Sequence, residues 1–131
     1  MRPKRLARKP NVLAVDDKRA NLLALEVTLG TEYNVIFAHS GQEAISIVER
    51  RPEAVDLILM DVQMPEIDGY EATRCIRGRE SAGRRVPILA MTAHAMKGDR
   101  ERCLAAGMDG YVAKPFDVQE LVNAVRHAIH A

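Results

Sequence analysis

Short apolar runs recur along the chain, and most of them stop abruptly at a polar residue. Asn11–Val15 runs into Asp16 and Asp17, residues 56–61 close on Asp61, and residues 86–91 meet Thr92. Residues 33–38 and Gly110–Ala113 have the same character, the latter leading into Lys114 and Pro115. Runs this short, apolar throughout instead of alternating, predict strands buried on both faces. Between them the spacing changes to that of helices. Leu22, Leu25 and Leu29 mark residues 18–29, with Gly30 as the stop. Ser40 and Glu43 form a capping-box pattern ahead of Ala44, Ile45 and Val48, and Pro52 lies beyond that helix. Met64 to Gly69 supply the breakers of a loop, residues 70–77 a weaker helical stretch, and residues 80–85 a polar linker. Lys97–Ala106 is a further helix ended by Gly107. Asp117 and Glu120 cap a last one, with Leu121, Val122, Val125 and Ile129 on one face.

Strands alternating with helices on short connections imply a parallel sheet covered on both faces, a three-layer α/β fold. In such sheets the ligand site lies beyond the carboxyl ends of the strands, near the point where strand order reverses. The length of 131 residues suits a single domain. We divide it into a basic leader, residues 1–10, and a domain, residues 11–131.

Composition narrows the function. With 47% hydrophobic and 28% charged residues the chain is ordinary for a globular protein, and no apolar run is long enough for a membrane span or a signal peptide. A cytoplasmic setting is the default expectation. The net charge of +1 conceals an asymmetry: Arg2, Lys4, Arg5, Arg8 and Lys9 are five of the 19 basic residues, leaving 14 against 18 acidic ones, or −4. The domain therefore lacks the cationic surplus of a nucleic-acid binder, and the leader reads as solvated chain before the first strand, with contact to an anionic partner as the alternative. Cys75 and Cys103 lack metal-ligand or C-x-x-C spacing and read as reduced packing residues.

The predicted strand ends gather Asp16, Asp17, Asp61, Thr92 and Lys114 from distant segments. Three carboxylates at close range raise one another's pKa unless a cation compensates. Oxygen-only ligands select a hard ion, and carboxylates with a backbone carbonyl and waters suit Mg²⁺, which commonly works beside phosphate. Lys114 adds a positive charge and Thr92 a hydroxyl donor. Together they form an electrostatic clamp for a transferring phosphoryl group, and a carboxylate nucleophile there gives an aspartyl phosphate.

Residues 11–129 resemble the receiver domain of two-component response regulators. The resemblance is carried by Val15-Asp16-Asp17, by Leu59-Met60-Asp61-Val62-Gln63-Met64-Pro65 with Asp68-Gly69, by Met91-Thr92-Ala93, and by Tyr111-Val112-Ala113-Lys114-Pro115-Phe116. The stretch from Thr92 through Lys97-Gly98-Asp99 to Ala106-Gly107-Met108-Asp109 is similar to receivers attached to hybrid histidine kinases. The resemblance implies a flavodoxin-like sheet in the order 2-1-3-4-5 and Asp61 as phosphoacceptor. It further implies Mg²⁺ held by Asp17, Asp61 and the main-chain carbonyl of Gln63, with Asp16 acting through water. Thr92 would move to the phosphoryl group, Tyr111 would rotate inward behind it, Lys114 would contact a phosphoryl oxygen, and the Lys114–Pro115 bond would be cis. The resemblance also implies that Gln63 and His94 hold positions that in the family flank the attacking water and bear on phosphoryl lifetime.

Each reading has a plainer counterpart. Asp16 and Asp17 can cap the following helix, Thr92 can merely end a strand, Tyr111 can be fixed core, and Lys114 can snorkel. His94 reads first as a solvated loop residue, with a second phosphoacceptor or general base as the alternative. His39, His127 and His130 show no ligand spacing, and Met60, Met64, Met91, Met96 and Met108 read as core or loop filler.

The leading expectation is a phosphorylation-controlled switch, charged by a sensor histidine kinase and read by a downstream protein target. It contains no DNA-binding domain and makes no membrane contact. It is not an enzyme beyond its own phosphotransfer and dephosphorylation. The alternative is a relay intermediate that passes the group to a histidine phosphotransfer protein. Stand-alone regulator and excised receiver both remain open. An aspartate-nucleophile phosphatase is disfavoured, because Gln63 stands where such enzymes carry a second Asp. A flavin binder is disfavoured because Asp16-Asp17-Lys18 replaces a phosphate loop.

Overall fold

The computed structural model describes residues 9–81, 83–93 and 97–130, with the backbone alone for Lys97. Most of the leader, and the readings made of His94 and Met96, lie outside the described residues. The elements in chain order are β1 (Asn11–Val15), α1 (Arg19–Leu29), β2 (Asn34–Ala38), α2 (Gly41–Arg50), a 3-10 turn (Pro52–Ala54), β3 (Leu57–Asp61), α3 (Gly69–Arg79), β4 (Ile88–Thr92), α4 (Lys97–Ala106), β5 (Gly110–Ala113) and α5 (Val118–Ile129). All strand pairs are parallel, and the sheet order is β2-β1-β3-β4-β5.

Strand side chains alternate between two cores, as the period of two requires. Leu13, Val15, Ile58, Met60, Ile88 and Ala90 pack on one face against Ala44 and Ile45 of α2, Ala72 and Ile76 of α3, and Cys103 and Ala106 of α4. Val12, Ala14, Leu57, Leu59, Leu89, Met91 and Val112 pack on the other against Leu22, Leu25 and Leu29 of α1 and Leu121 and Val125 of α5. The sheet is thus covered on both sides, and the central strands β1, β3 and β4 are buried along nearly their whole length for that reason.

Helix starts follow their caps. Ser40 Oγ accepts from Glu43 N at 3.1 Å while Glu43 Oε1 accepts from His39 N at 2.7 Å, so the expected cap forms with its return bond one residue before the N-cap. Asp117 accepts from Glu120 N at 3.1 Å. α3 begins at Gly69, one residue before the expected start, because Asp68 Oδ1 accepts from Glu71 N at 2.9 Å, and it extends to Arg79. β4 begins at Ile88, later than the apolar pattern suggests. Pro87 has no N–H to offer the ladder, and Val86 N donates to Glu80 Oε2 at 2.8 Å instead. Among the described residues no helix is long and apolar enough to cross a membrane.

Candidate functional site: a carboxylate cluster at the switch point

Strand order reverses between β1 and β3, where the chain leaves β1 for β2 on one side and returns to β3 on the other. Val15 pairs with Met60 in that ladder, so the next residues, Asp16 and Asp61, emerge side by side at the carboxyl edge. Both are buried, at 2% and 4% exposure, whereas Asp17 is exposed. Carboxylate oxygens of Asp16, Asp17 and Asp61 all lie within 4.8 Å of one another, close enough for one cation to touch all three.

Lys114 follows β5 and reaches back over the end of β4. Its Nζ donates to Asp61 Oδ1 at 2.9 Å and to Asp16 Oδ2 at 3.1 Å. Lys114 N also donates to Thr92 O at 2.8 Å, which locks the turn after β5 to the end of β4, and the Lys114–Pro115 bond is cis. The snorkelling alternative for Lys114 is thereby excluded. The cap-like reading of Asp16 is partly right: its Oδ1 accepts from Lys18 N at 2.9 Å and its Oδ2 from Asn21 Nδ2 at 3.0 Å. Asp16 therefore organises the turn into α1 and the charged cluster at once.

Burial pushes the Asp61 carboxyl above its ordinary range; the hydrogen bond from Lys114 opposes this and the neighbouring charge of Asp16 adds to it. For Lys114 burial acts downward, but hydrogen bonds and charges of Asp61 and Asp16 outweigh it and hold the ammonium above its ordinary value. The source of strain is thus desolvation of Asp61 more than repulsion among three equal carboxylates.

Thr92 ends β4 and is buried. By alternation it shares a sheet face with Ala90, and Tyr111, paired with Ala90, lies on that face as well. Tyr111 is half-buried against the α2–α4 core. Asp61, by the same alternation, shares a face with Leu59, so Asp61 and the Thr92–Tyr111 pair fall on opposite sides of the pleat.

Three further contributors carried no sequence signal of their role. Asn21 supplies the amide on Asp16. Gly69 N donates to Val62 O at 2.9 Å, and a Cβ at residue 69 would press on the Asp61 carbonyl and lie 2.9 Å from Val62 Cα, so only glycine lets α3 start this close to the site. In sequence the Asp68-Gly69 pair reads as a loop breaker and as part of the family resemblance, with no sign of this close approach. Tyr70 is buried, with the Arg102 guanidinium 4.5 Å above its ring, which ties α3 to α4 beside the site. Cys75 and Cys103 are both free, and burial pushes the Cys103 thiol up.

The family model of the response regulator receiver domain matches residues 12–126. The chain belongs to the response regulator receiver family. It is 43% identical to "Probable histidine kinase 5" of Oryza sativa subsp. japonica over 142 aligned positions, covering 92% of this chain and 12% of that kinase. The chain thus spans about an eighth of the length of the curated kinase it matches. The solved receiver domain of sensor histidine kinase PA1611 from Pseudomonas aeruginosa, with a magnesium ion in its active-site cleft, is 43% identical with a TM-score of 0.83, covering 95% of this chain and all of that one. A co-crystal structure of the Saccharomyces cerevisiae phosphotransfer protein Ypd1 with the receiver domain of Ssk1 matches with 29% identity and a TM-score of 0.81, over 92% of this chain and 88% of the other. A receiver domain is a phosphoryl-accepting signalling module, and both the family and the 2-1-3-4-5 order agree with the expectation from sequence.

Proposed function

We propose that Asp61 is the phosphoacceptor of this receiver and that Asp16, Asp17, Thr92 and Lys114 serve its phosphorylation. The observation that carries this reading is Lys114 bridging Asp61 and Asp16 in a spot where three carboxylates converge. Asp61 attacks the phosphorus of a phosphohistidine; the new O–P bond forms as the N–P bond breaks, and the imidazole leaves with the electron pair and takes up a proton. Lys114 then passes its hydrogen bond from the Asp61 carboxylate to a phosphoryl oxygen, where negative charge has grown. Thr92 approaches from the other side of the pleat, and its movement draws Tyr111 inward.

The donor set fits Mg²⁺, which supplies charge neutralisation for the transferring group. Asp17, Asp61 and the Gln63 carbonyl would hold it. Asp16 already accepts from Lys18 N, Asn21 and Lys114, which suits a contact made through water. The chain catalyses its own phosphorylation and dephosphorylation only, and does so in the cytoplasm, where ATP-dependent kinases are charged. Its partners are a sensor histidine kinase or a histidine phosphotransfer protein, and a downstream protein target. Likeness to receivers of histidine kinases, and to the Ssk1 receiver bound by its upstream phosphotransfer protein Ypd1, supports a place in a relay with a phosphotransfer protein as partner.

Borohydride reduction of the phosphorylated protein, followed by peptide mass analysis, tests the assignment. Conversion of residue 61 to homoserine is the expected product. Reduction at another aspartate, with residue 61 untouched, would overturn it.

A further inference from the structure

The loop that follows Asp61, residues 62–68, carries the Gln63 carbonyl, and its base is closed by Gly69 N donating to Val62 O. Its tip is held from outside by α2. Ile67 packs against Gly41, the first residue of that helix: a Cβ at residue 41 would lie 2.8 Å from Ile67 Cγ1, 3.0 Å from Cδ1 and 3.3 Å from Ala72 Cβ. The branched side chain of Ile67 thus occupies the space that any other residue at 41 would need. One residue on, Gln42 Nε2 donates to Glu66 Oε1 at 3.2 Å. Glu66 has φ of 69°, the left-handed region that a non-glycine residue rarely holds without outside support. The N-terminus of α2 is itself fixed by the Ser40–Glu43 cap, so it is a firm abutment.

We propose that Gly41 and Gln42 are positioning residues for the metal and phosphoryl site, acting through Ile67 and Glu66 on the loop that presents the Gln63 carbonyl. This rests on the ligand set proposed above. Neither residue touches the reacting groups; they fix where a ligand-bearing loop sits, as outer-sphere partners of metal sites do.

Calorimetric titration of Mg²⁺ into the metal-free protein tests it, with wild type, Gly41→Ala, Gln42→Ala, the double variant Gly41→Ala with Ile67→Ala, and Asp17→Asn compared. Gly41→Ala is expected to weaken Mg²⁺ binding roughly tenfold, the lower end of what outer-sphere changes cost. The double variant adds one carbon at residue 41 and removes the Ile67 Cγ1 and Cδ1 atoms it would strike, and it is expected to recover most of that loss, which a general loss of stability would not allow. Gln42→Ala alters an exposed side chain, is expected to weaken binding in the same direction, and decides the matter if Gly41→Ala does not fold. Wild-type affinity in Gly41→Ala and Gln42→Ala, alongside lost binding in Asp17→Asn, would overturn the positioning role and leave the ligand set standing. Wild-type affinity in Asp17→Asn as well would overturn the ligand set and this inference with it.

Discussion

Lys114 reaches Asp61 across an intervening strand. Asp61 ends β3 and Lys114 follows β5, with β4 between them, yet Lys114 Nζ lies 2.9 Å from Asp61 Oδ1. Neighbouring strands are about 4.8 Å apart, so the span is roughly two such spacings, which the long lysine stem covers and a shorter side chain does not. The ammonium also contacts Asp16 at 3.1 Å, so one cation serves two buried carboxylates. The metal-free site is thereby under-neutralised.

The pH dependence of stability follows from Asp61. Its native pKa is raised above the ordinary 3.8, first by burial. A group raised in the native state contributes stability that is fully present below its unfolded value and lost as pH rises through its native value. Between acid and neutral pH the metal-free wild type should therefore lose stability that Asp61→Asn keeps. Thermal melts of both proteins across that range check it. A gap of constant size would contradict the assignment.

Removing Lys114 leaves Asp16 and Asp61 facing each other without a counter-charge. Lys114→Ala is expected to lower metal-free stability by roughly 2 kcal/mol, since an uncompensated buried charge costs more than the pair contributed. Mg²⁺ should bind at least as well as to wild type and restore much of the loss. Coupling of phosphorylation to partner binding should fail. Denaturation with and without Mg²⁺ separates these effects.

Asp17 differs from its two neighbours because it is exposed. Asp17→Asn should change metal-free stability by no more than about 0.5 kcal/mol, the usual range for surface substitutions. Its effect belongs to the loaded site. Wild type at about 100 times the Mg²⁺ dissociation constant should gain roughly 2.7 kcal/mol, and the variant should gain far less at the same concentration. Equal Mg²⁺ shifts in melting temperature would remove Asp17 from the site.

Much of this was legible in the sequence because it is local. Apolar runs buried on both faces ended where the strands end, at Val15, Asp61 and Thr92, give or take a residue. The Ser40–Glu43 and Asp117–Glu120 caps are visible at a spacing of three. The pairing of Asp16 with Asp61 needed a register, and the split between buried Asp16 and exposed Asp17 needed the turn that Asn21 and Lys18 complete. The hold of Gly41 on Ile67 joins residues with no pattern between them.

Arg77 is the extreme case of such a distant contact. It read as the end of a weak helix. In the fold its Nε donates to Gly107 O at 2.9 Å, Nη1 to Val86 O at 2.7 Å and Glu80 Oε2 at 2.9 Å, and Nη2 to Asp109 Oδ2 at 2.9 Å. It thus clamps α3 to the entry of β4 and the turn before β5, at the edge of the sheet opposite Asp61. Arg77→Met should cost about 3 kcal/mol in chemical denaturation, and Arg77→Lys should not rescue it, because one ammonium cannot reproduce the planar fork. Phosphoryl uptake should persist in the folded fraction of both.

Intact mass after incubation with a small phosphodonor tests the central claim most directly. With Mg²⁺ present, wild type should gain the mass of one phosphoryl group, and it should gain none when the metal is chelated. Asp61→Asn, which keeps the shape and removes the nucleophile, should gain none in either condition. A phosphoryl adduct on Asp61→Asn equal to that on wild type would contradict the account.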